Sequence, residues 1–140
     1  MKTVQSLSVL VLSVCLSGLC AHAEDSPEQR AQRAAETWLS QVDAGDYATS
    51  WKEASAYFQG AVTENGWTAT LKGVRKPLGQ VVSRKLQSVQ HTTSLPGAPD
   101  GNYVVMQFET RFENKQAAIE TVTFLQEKDG KWKAAGYYLK

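Results

Sequence analysis

HTTSLPGAPDGNYVVMQFETRF, residues 91–112, decides the fold. In its second half Val104, Met106, Phe108, Thr110 and Phe112 alternate with Tyr103, Val105, Gln107, Glu109 and Arg111. A period of two with one apolar parity predicts a half-buried strand. The stretch before it, Leu95-Pro96-Gly97-Ala98-Pro99-Asp100-Gly101-Asn102, is dense in turn formers. Pro99 presets φ for a turn, Asp100 can cap it, and Gly101 accepts positive φ. Two antiparallel strands joined by a stiff loop follow.

Outward from this hairpin the pattern continues. Val81 to Ser94 predicts the first strand, but Val82, Leu86 and Val89 do not share one parity. The slip between Leu86 and Val89 predicts a β-bulge, which bends a strand. Downstream, Asn114 and Lys115 turn the chain into a third strand over about Ala117 to Glu127. Lys128-Asp129-Gly130-Lys131 signals a two-residue hairpin centred on Asp-Gly. The last strand is Trp132 to Leu139. Short connections predict an antiparallel meander.

Upstream the period becomes helical. Ser26-Pro27-Glu28-Gln29 reads as a capping box with Pro at the first helical position. Ala31, Ala34, Ala35, Trp38, Leu39 and Val42 form one stripe, and Gly45 ends the helix. Asp46 caps a second helix with Tyr47, Trp51, Ala54 and Phe58 on one face, ending at Gly60. Thr63 caps a third, with a stripe of Trp67, Leu71, Val74 and Leu78, stopped by Pro77 and Gly79. Trp38, Trp51 and Trp67 read as core, because large aromatics at helical spacing dominate core burial. Three helices followed by a curved four-stranded antiparallel meander is an α+β pattern, cone-like in shape. The space between helices and sheet is where a small molecule would sit.

The beginning of the chain is read apart from this domain. Lys2 followed by the apolar run Leu7 to Leu19, with Ala21-His22-Ala23 as a cleavage site, fits a signal peptide over residues 1–23. The single domain is then residues 24–140. A membrane-spanning helix needs about 20 apolar residues, and serines and a glycine dilute this run. Cys15 and Cys20 both lie in it, each preceded by a residue too large for lipid modification. The processed chain would have no cysteine, hence no disulfide, no thiol nucleophile and no thiolate zinc site. Without Lys2 the 15 basic residues become 14, matching the 14 acidic ones. That balance gives no electrostatic footprint for nucleic acid or anionic membrane. The local clusters Lys72-Arg75-Lys76 and Arg84-Lys85 read as solvated faces.

Candidate chemistry is sparse. An isomerase-type site needs a carboxylate base and converging donors in a dry pocket. Glu109 and Glu120 are the strand carboxylates, and His91 is the single histidine after the leader. Tyr103, Arg111, Tyr137 and Tyr138 are the nearby phenols and guanidinium, with Pro96 and Asp100 as binding candidates on the stiff loop. Tyr103, Glu109 and Arg111 share a parity. They line a cavity if that face is concave, and form a solvated face or dimer interface if it is convex. Polar-out alternation favours the second. One histidine and no cysteine argue against a transition-metal site, and Asp100 alone is too little for calcium. No cofactor is implied.

Several runs carry a family resemblance. They are Asp-Ala-Gly-Asp-Tyr at 43–47 with Ser50-Trp51, Val82 to Leu86, Thr92 to Asp100 (TTSLPGAPD), Tyr103-Val104-Val105, Glu120 to Thr123, and Gly136-Tyr137-Tyr138. Through them nearly the whole processed chain resembles a bacterial family of secreted proteins catalogued as domain of unknown function 4019. The order of elements resembles the nuclear transport factor 2-like, or cystatin-like, cone. The resemblance implies fold and export. It implies no activity, since the wider superfamily holds ketosteroid isomerases, dehydratases and non-catalytic binding domains alike. Two expectations stand. One is an exported, periplasmic or fully secreted, non-enzymatic domain that binds a small ligand or an envelope protein, with a homodimer through its sheet. The other is a cofactor-free isomerase or dehydratase with an acid/base carboxylate in the cone.

Overall fold

The computed structural model describes residues 23–140. The expected leader and its two cysteines therefore lie outside the described residues, Ala23 apart. The elements run α1 (Pro27–Asp43), α2 (Tyr47–Lys52), α3 (Ala56–Ala61), α4 (Glu64–Arg75), a 3-10 turn (Lys76–Leu78), β1 (Val81–Thr92), β2 (Tyr103–Phe112), β3 (Lys115–Gln126) and β4 (Trp132–Leu139). The class is α+β, as expected. The four strands form one antiparallel open sheet in the order β1-β2-β3-β4, with the helices on one face.

α1 begins with the expected capping box. Ser26 Oγ accepts from the Gln29 N–H at 3.2 Å, and Gln29 Oε1 accepts from the Ser26 N–H at 2.9 Å. The helix buries Ala31, Ala35, Trp38, Leu39 and Val42. It closes in a Schellman motif, with the Gly45 N–H on the Val42 carbonyl and the Asp46 N–H on the Gln41 carbonyl.

The expected second helix is two helices, so the helix count is four. Ser55 breaks it. Its Oγ accepts from the Phe58 N–H at 3.1 Å, which starts α3, and its own N–H donates to the Ala134 carbonyl of β4 at 2.8 Å. Gln59 Nε2 lies 2.9 to 3.2 Å from the carbonyls of Trp51, Lys52 and Ala54 that the break leaves open. A serine cap and a glutamine that satisfies freed carbonyls offset the lost helical bonds. The apolar spacing survives the break and so concealed it.

α4 corrects a second expectation. Val74 is 40% exposed while Arg75 is 5% exposed, so the buried stripe is Trp67, Leu71, Arg75. The helix stops at Arg75 and passes into the 3-10 turn that carries Pro77. Among the tryptophans, Trp38 and Trp67 are core and Trp51 is half-buried. Buried Ser50 serves these two core indoles of the helices, with its carbonyl 2.8 Å from Trp38 Nε1 and its Oγ 2.9 Å from Trp67 Nε1.

In the sheet the predicted bulge is present as a register shift between Leu86 and Ser88, and a second lies between Val81 and Ser83. The shift returns Val89 to the inner face, opposite Met106, as Leu86 is opposite Phe108. The β3–β4 connection differs from expectation. Asp129 has negative φ, Gly130 has φ 86°, and Glu127 pairs with Lys131. The loop therefore has three residues, a type I turn closed by a left-handed glycine, because a two-residue I′ turn would also need positive φ at Asp129. In the 93–102 loop Gly97, not Gly101, has positive φ. Gly101 is small for another reason: a Cβ there would lie 3.1 Å from Leu125 Cδ1.

Candidate functional site

The interior holds a cluster that draws one residue from each strand and from both long helices. Asp43 ends α1, Arg75 ends α4, and Arg84, Thr110, Glu120 and Tyr137 come from β1 to β4 in turn. Strand alternation turns Arg84 toward Thr110 and places Glu120 directly opposite Phe108, on the helix side. A register shift between Thr123 and Phe124 sets Tyr137 opposite Val122, facing the helices.

Arg84 bridges two carboxylates. Its Nη1 and Nη2 donate to Asp43 Oδ2 and Oδ1 at 2.7 and 2.9 Å, and its Nε donates to Glu120 Oε1 at 2.8 Å. Arg75 Nη2 donates to Asp43 Oδ1 at 2.6 Å, and its guanidinium stacks 4.9 Å from the Phe112 ring centroid. Thr110 Oγ1 donates to Glu120 Oε1, and the Tyr137 hydroxyl to Oε2, both at 2.5 Å. Two guanidiniums balance two carboxylates. Glu120 is 0% exposed with three donors on it. Such planar, bidentate pairing is what arginine does better than lysine.

The electrostatics follow from the pairing. Burial pushes the Asp43 carboxyl up, but hydrogen bonds from Arg84 and Arg75 outweigh it and hold it below its ordinary value. Burial likewise opposes the charge on Arg84, and Asp43 and Glu120 overcome it and raise its pKa. Burial first and then the Glu120 charge push the Tyr137 phenol well above the usual tyrosine value. The cluster can hold charge in place and transmit position between elements. Each carboxylate accepts three hydrogen bonds from within the cluster, and Glu120 is closed off from solvent.

The other candidates are scattered. Glu109 and Arg111 are exposed on the face away from the helices, and Glu109 accepts from Gln87 Nε2 at 2.8 Å. Tyr103 does not join them in the open. It is buried beside the 93–102 loop, its hydroxyl donating to the Pro99 carbonyl at 2.6 Å, and burial raises its pKa. Tyr138 is 63% exposed, and Pro96 and Asp100 are exposed on the loop. His91 is exposed, with its ring edge-on to Trp132 at 6.5 Å. Of the candidates, the structure brings together Glu120 and Tyr137 alone.

Asp43, Arg75, Arg84 and Thr110 were not singled out by sequence reasoning. Arg75 and Arg84 correct the reading of their clusters as solvated faces, since each is drawn inside by a carboxylate from another element. The signal available was positional: Arg75 stands four residues after Leu71, and Arg84 shares parity with Leu86. Among the described residues no group of three or more His, Cys, Asp or Glu could hold a metal ion, and no helix is long and apolar enough to cross a membrane.

A family model described as a protein of unknown function (DUF4019) matches residues 34–137, a span that contains all six members of the cluster. No curated protein matches the chain.

Proposed function

The chain belongs to the DUF4019 family, whose description assigns no activity, and from that footing we propose that it is a non-enzymatic binding domain of the bacterial envelope. In this reading the leader exports it to the periplasm or beyond. It engages a small ligand or an envelope protein, and a second copy through the outer face of the sheet. The observation that carries the reading is the state of Glu120. The one fully buried carboxylate of the described interior already accepts hydrogen bonds from Arg84, Thr110 and Tyr137. General-base catalysis needs a carboxylate within reach of a substrate proton. The isomerase or dehydratase reading requires that this cluster come apart, and nothing in the geometry favours it.

Native mass spectrometry of protein purified from its host's envelope tests the proposal. A constant added mass, a bound partner or a dimer supports it. Turnover of any substrate that Glu120→Gln abolishes overturns it.

A further inference from the structure

A cleft of about 290 Å³ opens beside the charged cluster, between the C-terminal ends of α1 and α4 and the segment Gly79-Gln80. Its walls include Lys72, Arg75 and Lys76, with Asp43, Tyr47 and Gln80. Asp43 is the one carboxylate in the lining, and its charge is already spent on Arg75 and Arg84. With Glu120 the two arginines are balanced, so Lys72 and Lys76 remain uncompensated. Neither makes an ion pair among the described residues. Glu113 packs against Gly79 at the rim and pairs with neither lysine.

Lys72 and Lys76 stand four residues apart, so they are neighbours on one face and repel each other. The negative ends of the α1 and α4 dipoles relieve part of that repulsion and oppose an anion, so the two ammonium groups have to outweigh them. The donors around them are also unused: the Tyr47 hydroxyl and the Gln80 carboxamide make no side-chain hydrogen bond among the described residues. A concave site with a few converging, unspent polar groups is the ordinary form of a small-molecule site. We infer that this cleft binds a small oxyanion, a carboxylate or phosphate compound, held by Lys72 and Lys76 with Tyr47 and Gln80 as neutral donors. The inference rests on the binding reading above and names the ligand class for it. The small volume limits the ligand to a compact metabolite rather than a lipid or a peptide.

The test is a titration of isotopically labelled protein, residues 24–140, with inorganic phosphate and, separately, succinate. Ionic strength is matched with chloride, because exposed charge interactions are screened by salt. Saturable amide shifts centred on Gly45, Gly79 and Gln80 are expected for at least one anion, and which anion saturates identifies the head group. The double substitution Lys72→Gln/Lys76→Gln should weaken binding by about tenfold or more, with near-ultraviolet circular dichroism unchanged. Shifts that do not saturate, that spread over every exposed lysine, or that survive the double substitution overturn the cleft as a site. That failure leaves the binding reading standing. Turnover lost with Glu120→Gln would instead remove the reading itself.

Discussion

The interior has an aromatic half and a charged half, and they are held together by different physics. In the aromatic half Trp67 packs on Phe58 at 5.0 Å and on Trp38 at 5.9 Å, with Phe124 and Ala134 beneath. Its contribution is area removed from water, at about 25 cal/mol per Å², and it tolerates small shifts in position. In the charged half Asp43, Arg75, Arg84 and Glu120 satisfy one another through fixed directions and distances. That half adds little net stability, because desolvation offsets the pairing, but losing one partner is costly. Tyr137 joins the two halves. Its ring lies 5.9 Å from Trp38 and 6.1 Å from Trp67, and its hydroxyl is on Glu120. One half supplies stability, and the other specifies how four strands and two helices meet.

The sharpest way to break this contrast is Arg84→Ala. It leaves two carboxylates without their main partner and should cost about 3–5 kcal/mol in urea unfolding. Replacing Asp43, Arg75, Arg84 and Glu120 together by apolar residues of similar volume should cost less than Arg84→Ala alone. If it costs more, the charged half is a net source of stability and the contrast fails.

Acid should act on one half only. The folded Asp43 pKa lies below its ordinary value. Its contribution is therefore complete above the unfolded value of about 4 and is lost as pH falls through the folded one. Stability should drop below about pH 4, and Asp43→Asn should flatten that part of the profile. Base acts through Tyr137 with the opposite sign. Its raised folded pKa means that stability holds below about pH 10 and declines as pH rises above it.

Tyr137→Phe keeps the ring contacts and removes one of the donors on Glu120. A loss of about 1–3 kcal/mol is expected, the cost of an unpaired buried acceptor. The smallest effect belongs to the outer face of the sheet. Glu109→Gln should change unfolding free energy by no more than about 0.5 kcal/mol, as exposed substitutions do. A larger loss would show that this face is engaged in solution.

The two halves also differ in how readily the sequence betrays them. Trp38, Trp67, Met106 and Phe108 declare themselves through helical or strand spacing, and so do the meander, the Leu86–Val89 bulge and the α+β class. Periodicity scores apolar residues, so it placed Val74 inside and left Arg75 out. What reverses that choice is a carboxylate 32 residues away in the chain. The same limit hid Arg84, whose partners Asp43 and Glu120 stand on either side of it in sequence. Glu120 and Tyr137 were visible as residue types worth watching, but not as partners. The Ser55 break was a local signal overridden by a convincing apolar face.

The Ser55 N–H on the Ala134 carbonyl does more than end a helix. A sheet has two edges, and each exposed edge offers its backbone to any passing strand. Here the β4 edge is partly occupied by α3, and the β1 edge is kinked by two register shifts along its 12 residues. Neither border presents a long flat ladder, so edge-to-edge addition of copies into a growing fibre is disfavoured from both sides. Assembly through side chains on a face is favoured by comparison. Its geometry is then set by substitutions at positions such as Gln107, Glu109 and Arg111, and not by the backbone.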